Sequence, residues 1–251
     1  MKKAGNKGAS GQGTQVPIDP GKAGFVRRKS SVVLGKLVPR EFFEAPPEQV
    51  SPRLLGKLLA LKTPRGVVAG RIVEVEAYLG PHNLQPDPAA HSHRGPTPRN
   101  LVIFGPAGHA YVYAIYGRYY CMNITCEPAG LAGCILLRAL DPVVGIRQMA
   151  ANRGVDPKGF SARELSRQLT SGPGRLCQAM GLTRPLHNGL DLTRADSPLQ
   201  VRDDGFSVPE AIVTARIGIR HAAELPLRFA VPDHAAVSGP RSLIGKRIVF
   251  Q

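Results

Sequence analysis

Arg71-Ile-Val-Glu-Val-Glu-Ala-Tyr-Leu-Gly80 and His109-Ala-Tyr-Val-Tyr-Ala-Ile-Tyr-Gly-Arg-Tyr-Tyr-Cys-Met-Asn123 decide how this chain is read. In both stretches β-branched and aromatic residues alternate with other types, and the pattern stops at Gly80 and Gly117, as strands do. Side chains two apart share a strand face, so Glu74, Glu76 and Tyr78 point one way. Tyr111 and Tyr113 share a face by the same rule, and Val112, Ala114 and Tyr116 share the other. Two like charges on one strand face are awkward if both are buried, which leaves Glu74 and Glu76 solvated or paired to arginine. Between the two stretches lies a loop containing His91-Ser-His-Arg-Gly-Pro-Thr-Pro-Arg-Asn100. Carboxylates, imidazoles, phenols and guanidiniums are concentrated here as in a site rather than a core.

Outward from this centre, Thr63-Pro-Arg-Gly66 reads as a hairpin turn into a strand over Val67–Leu79. Upstream, residues 41–50 read as an extended lead-in. Ser51-Pro52 reads as the start of a helix with Leu54, Leu55, Leu58 and Leu59 on one face. Residues 81–108, with six prolines, form a long irregular connection of the kind that often carries function. Downstream come a return strand through Asn123 and Thr125, and an apolar strand Gly133–Leu140. That strand holds one charge, Arg138, for which a carboxylate or phosphate partner is expected. Asp141-Pro142 reads as a helix start, Ser161-Ala-Arg-Glu164 as a capping box, and Ser171-Gly-Pro-Gly174 as a turn feeding a further helix. Short strands are expected at 198–201, 211–219, 226–231 and 247–250. Helices and strands interspersed without regular alternation point to an α+β fold on an antiparallel sheet.

The 251 residues suit one large domain or two small ones. A net charge of +15 and a pI near 10.2 point to a polyanionic partner, nucleic acid before an anionic membrane surface. Residues 1–40 hold nine of the Lys and Arg residues against one acid, so +7 remains on the rest of the chain. The first thirty residues are low in large apolar groups and read as disordered. Cys121, Cys126, Cys134 and Cys177 match no zinc spacing and read as buried reduced thiols. No apolar run is long enough to span a membrane and no signal peptide is evident, which suggests a soluble intracellular protein.

No nucleophilic triad, phosphate loop or metal-ligand set stands out. What remains is a carboxylate among tyrosines, histidine and arginine. Such a carboxylate can activate water, and aromatic faces can grip a flat or cationic base. An enzyme acting on a DNA base must take it out of the stack, and Tyr116 beside a glycine turn is suited to fill the gap.

These segments, with Cys121-Met-Asn123, Leu136-Leu-Arg-Ala-Leu140, Gly172-Pro-Gly-Arg-Leu-Cys-Gln-Ala179 and Arg216-Ile-Gly-Ile219, closely resemble the alkyladenine (3-methyladenine) DNA glycosylase family over residues 50–232. The absence of an internal repeat or polar linker points to a single α+β domain over 41–251 following a basic tail, 1–40, which lies outside the resemblance. The resemblance implies a curved antiparallel sheet flanked by helices, with a β-hairpin that enters the DNA minor groove. It also implies a monofunctional, monomeric enzyme of base excision repair, with no metal or organic cofactor. That enzyme excises alkylated or deaminated purines from double-stranded DNA, in the nucleoid of a bacterium or the nucleus of a eukaryote. Glu76 would be the general base, with Arg138 and the backbone carbonyl of Ile217 holding the water. Tyr78, His91 and Tyr113 would enclose the base, Asn123 would border the pocket, and Tyr116 would intercalate. Thr97, Arg99 and Arg175 would meet the DNA backbone. Arg118 stands where an apolar residue is expected and would add a phosphate contact. A non-catalytic binder of damaged or bent DNA is the alternative, disfavoured by the carboxylate at 76. A lyase would need a pocket amine, and there is no lysine between Lys62 and Lys158. A basic RNA-associated protein would explain the charge but not the cluster.

Overall fold

The computed structural model describes Met1 and residues 34–239 and 245–250. Apart from Met1, these belong to one unit, Val32–Gln251. The expected tail lies outside the described residues up to position 33. Its last part does not, because β1 (Lys36–Leu37) pairs with a later strand and Val38 is buried.

The elements then run α1 (Pro47–Leu54), β2 (Leu58–Thr63), β3 (Gly66–Tyr78), β4 (Ala110–Ile115), β5 (Tyr119–Cys126) and β6 (Gly133–Val144). They continue α2 (Ile146–Arg153), α3 (Ala162–Thr170), α4 (Pro173–Met180), α5 (Arg184–His187), β7 (Leu199–Asp203), β8 (Glu210–Thr214), β9 (Arg228–Ala230) and β10 (Lys246–Val249). The pairings among them are antiparallel, in the order β1-β7-β2-β3-β6-β5-β4, with β9, β8 and β10 branching from β3. The result is an α+β fold, an open antiparallel sheet flanked by helices. No helix among the described residues is long and apolar enough to cross a membrane.

The long strand β3 organises the sheet. Its first half pairs with β2, and its second half, from Glu74 to Glu76, pairs with β9. Register shifts against β6 on either side of Glu74 mark the handover as a bulge, the device by which a strand bends and re-aims its side chains. One face of β3, β6 and β5 is wholly apolar. Val75, Ala77, Ile135, Leu137, Met122 and Ile124 pack there into the main core with α1 and α4. Each large aliphatic buried in this way contributes about 1.5–3 kcal/mol. The other face carries a second, smaller cluster around Tyr78, Tyr111, Cys121, Cys134 and Leu136.

Several local expectations need correction. The stretch 41–50 is not extended: a 3-10 turn at Arg40–Phe42 is followed by α1, which takes its N-terminus from Pro46-Pro47 and contains Pro52. The four leucines do not share a helix. Leu54 ends α1, and Leu58 and Leu59 begin β2, since the chain turns at Gly56 with φ +88. Asp141-Pro142 does not open a helix, because β6 continues to Val144 and α2 starts after the left-handed Gly145. The strand expected over 211–219 ends at Thr214. The capping box at Ser161 and the helix after Gly172 form where expected. All four cysteines are free and buried.

Candidate active site

Cross-strand register brings the site together. Tyr111 lies opposite Asn123, Asn123 opposite Leu136, and Leu136 opposite Glu76, a row across β4, β5, β6 and β3. Tyr113 lies opposite Cys121 in the adjacent row, and Tyr78 lies opposite Cys134. Because side chains alternate along a strand, all of these project from the face away from the main core.

Glu76 is fully buried, and its carboxylate accepts three donors. The Ile217 N–H reaches Oε1 at 2.8 Å, Arg138 Nη1 lies 3.1 Å from the same oxygen, and the Tyr78 hydroxyl donates to Oε2 at 3.0 Å. Burial, then the Glu76 charge, pushes the Tyr78 phenol well above its ordinary pKa, so it stays a donor. The Tyr78 ring also lies 4.5 Å from the Arg216 guanidinium.

Glu74 is neither solvated nor singly paired. Arg138 Nε (2.9 Å), Arg228 Nε (2.7 Å), the Ser238 N–H (2.6 Å) and the Ser238 hydroxyl (2.9 Å) all donate to it. The arrangement resolves the problem of two buried carboxylates on one strand, since Arg138 forks between them. Burial disfavours the guanidinium charge, but Glu76 and Glu74 outweigh it and hold the Arg138 pKa above its ordinary value.

The aromatic side of the site is continuous with this. Tyr111 and Tyr113 stack with ring centroids 5.0 Å apart, and His91 stands edge-on to Tyr113 at 4.6 Å, its Nδ1 3.0 Å from the Tyr111 hydroxyl. Although part of His91 faces solvent, the protein packed around it, and then the Arg99 charge, lowers its pKa. Burial raises Tyr111 to about 12 and Tyr113 well above 10. The aromatic cluster is therefore neutral near pH 7. Asn123 Nδ2 lies 3.0 Å from Cys134 Sγ, while its Oδ1 is buried with no partner among the described residues. An orphan acceptor of this kind costs about 1–3 kcal/mol and needs a reason.

Tyr116 sits at the tip of the β4–β5 hairpin, 91% exposed. It and Gly117 both have positive φ, 49° and 68°, the geometry of a tight mirror-image turn, and the Arg118 N–H returns to the Ile115 carbonyl at 3.3 Å. Left-handed backbone under a tyrosine costs about 1–2 kcal/mol and is spent on an aromatic ring with nothing to bury it. Arg118 and Arg175 are exposed, Arg118 lying 5.5 Å from the Tyr119 ring. Arg99 lies 5.7 Å from the Tyr113 ring. Thr97 is engaged locally, its N–H and hydroxyl both donating to Asn100 Oδ1.

The structure adds residues that the sequence reading did not single out. Asp87 and Arg216 form a fully buried ion pair under Tyr78, and Asp87 also accepts from the Leu79 and Ala89 N–H groups, anchoring the long loop to β3. Asn100 pins the same loop by donating to the carbonyls of His91 and Gly95. Arg228 and Ser238 complete the Glu74 cage. The signal was available for Arg216 and Arg228: each is a lone arginine in apolar text, as Arg138 is.

A family model described as methylpurine-DNA glycosylase matches residues 41–235. A protein of Koribacter versatilis assigned as a 3-methyladenine DNA glycosylase is 47% identical over 215 residues, covering 86% of this chain and 99% of its own length. A similarly assigned protein of Methanoculleus marisnigri is 49% identical over 205 residues, covering 80% and 98%. A third, of Burkholderia cenocepacia, is 45% identical over 206 residues, covering 82% and 92%.

Proposed function

The chain belongs to the methylpurine-DNA glycosylase family, and from that premise we propose that Glu76 activates the water that cleaves the N-glycosidic bond of a purine flipped out of duplex DNA. The enzyme is a DNA-3-methyladenine glycosylase, a hydrolase of N-glycosyl bonds. The observation that carries the mechanistic reading is the buried Glu76 carboxylate, held by Arg138, Tyr78 and the Ile217 N–H beside an aromatic cluster and the Asn123 Oδ1, which has no partner among the described residues.

In this reading the damaged nucleotide enters between Tyr78, His91 and Tyr113. Neutral electron-rich rings favour a base made cationic by N-alkylation. Asn123 Oδ1 accepts from the bound base or repels the wrong edge, which accounts for an acceptor left open. The Tyr78 hydroxyl gives up its place on Glu76 to a water. As the bond to C1′ breaks, its electron pair leaves with the purine and oxocarbenium charge grows on the sugar. Water adds to C1′ while its proton passes to Glu76, leaving an abasic site and a free base, the logic of a water-activating base in an inverting glycosidase. Arg138 holds Glu76 in place through the fork that also engages Glu74. Tyr116 enters the minor groove and fills the vacated stack, which explains an exposed ring on a costly backbone. Arg99, Arg118, Arg175 and Thr97 face the DNA backbone. The protein acts as a monomer, with the glycosylase domain beginning at β1 and a basic stretch ahead of it, within the compartment that holds the genome.

The test is single-turnover incubation of the wild-type protein, without added metal, on duplexes carrying hypoxanthine, ethenoadenine, 3-methyladenine or 7-methylguanine. Release of a free base and an alkali-labile abasic site is expected. Tight binding to an abasic-site analogue with no base released from any of them would instead identify a DNA binder on the same fold.

A further inference from the structure

A groove of about 760 Å³ opens between α3, the start of α4 and the segment 232–239. Arg163 and Arg167 from α3, Arg175 from α4 and Arg247 from β10 line it, and all four are exposed. Glu164, Asp233 and His234 line it as well. The Glu164 carboxylate is committed to the capping box, accepting from the Ser161 N–H and hydroxyl at 2.9 and 2.7 Å. His234 faces Asp141 at 3.7 Å; Arg247 donates to Glu210 at 2.6 Å and lies 3.9 Å from Asp233, and Arg163 donates to the Asp233 carbonyl at 3.4 Å. Cations are in excess. Arg163 and Arg167, four apart and so on one helix face, form no salt bridge within 4.0 Å among the described residues. Like charges at that spacing destabilise a helix.

The groove also begins where the candidate site ends. Ser171 on its wall bridges to Ala139, the neighbour of Arg138. Gly174 lies against Tyr119 at the base of the hairpin, where a Cβ would sit 3.5 Å from the tyrosine Cβ. Between Val237 and Gly239, which both line the groove, Ser238 is bonded to both Glu74 and Arg138. A basic track running from the Glu74–Arg138 cage along α3 is complementary to a polyanionic strand.

We propose that this groove carries the phosphodiester backbone of the duplex beyond the lesion, with Arg163, Arg167 and Arg247 as a set of phosphate contacts continuing from Arg175. The assignment rests on the glycosylase reading and extends the footprint along the DNA. Each phosphate neutralised releases counterions, so the salt dependence of binding counts the contacts, at about 0.9 in the log–log slope for each.

The experiment measures binding to hypoxanthine duplexes of increasing flank length over a range of salt. It compares the wild type, R163A/R167A/R247A and R163K/R167K/R247K, with wild-type excision recorded in parallel. In the wild type the slope is expected to steepen once the flank reaches the groove. In the alanine variant that increment falls by about 2–3, and lysine, which keeps the charge, restores most of it. Slopes that rise identically in wild-type and alanine variants, while the wild type still excises, would overturn the groove assignment and leave the glycosylase reading intact. A lysine variant as deficient as the alanine one would overturn the phosphate role. Failure of the wild type to excise any lesion would overturn the glycosylase reading, and the groove assignment with it.

Discussion

Glu74 and Glu76 are two residues apart on one strand and equally buried, yet their surroundings differ in kind. Glu74 lies between two guanidiniums and takes both the N–H and the hydroxyl of Ser238, so its acceptor capacity is saturated by groups that have nowhere else to go. Glu76 shares one arginine, accepts one backbone N–H, and has its remaining oxygen covered by a tyrosine hydroxyl at the edge of the aromatic cluster. A carboxylate locked by two cations is a joint that fixes β3, β6 and β9. In the proposed mechanism, the one covered by a single tyrosine hydroxyl trades that donor for a water. The number and rigidity of the donors divide the two roles.

The largest consequence concerns the joint. Glu74→Ala leaves Arg138 and Arg228 buried without their shared partner, and loss of one member of such a group costs about 3–5 kcal/mol. Urea unfolding should show a large drop in midpoint. A drop within 0–1 kcal/mol, to order of magnitude for a surface pair, would remove the distinction drawn between the two carboxylates.

Next comes the pocket wall. Asn123→Leu removes an orphan acceptor, so the stability lost with one contact to sulfur is offset, and the unfolding midpoint should move by no more than about 1 kcal/mol. Selectivity should change instead: the resemblance implies that Asn123, bordering the pocket, excludes the exocyclic amino group of guanine, so excision of normal guanine should rise relative to hypoxanthine. A strongly destabilised variant with unaltered selectivity would show that Asn123 is structural.

Ser161→Ala, remote from both carboxylates, breaks the capping box and should cost about 1 kcal/mol with no change in excision. A separate effect is one of pH. Burial, then Glu48, raises the Glu127 carboxyl to about 7. A carboxyl raised on folding contributes stability that is fully present below its unfolded value and is lost as pH rises through the folded one. Wild-type thermal stability should therefore decline between about pH 4.5 and 7, and Glu127→Gln should flatten that decline. Parallel curves would contradict it.

Much of this was legible in sequence because strand periodicity and hairpin turns are local. Gly66, Gly117 and the alternation through Arg71–Tyr78 specify β3, β4 and β5 without help from the rest of the chain. The Leu54–Leu59 run reads as one helix because helix and strand both tolerate leucine, and the left-handed Gly56 decides between them. Pro142 hid the end of β6 by resembling a helix start. The roles of Asp87, Arg228 and Ser238 depend on partners 129, 154 and 164 residues away in the chain. No window of sequence contains such a pair. The bulge at Glu74, which lets β9 replace β2 beside β3, is equally non-local.

The most direct test of the account compares Glu76→Gln and Glu74→Gln with wild type in single-turnover excision at saturating enzyme, alongside affinity for the same lesion duplex. Glu76→Gln should lose about 10²–10⁴-fold in excision, the usual contribution of a general base, while it stays folded and keeps its affinity. Glu74→Gln should lose stability first and excision only as the fold loosens. Wild-type turnover in Glu76→Gln would contradict the central claim.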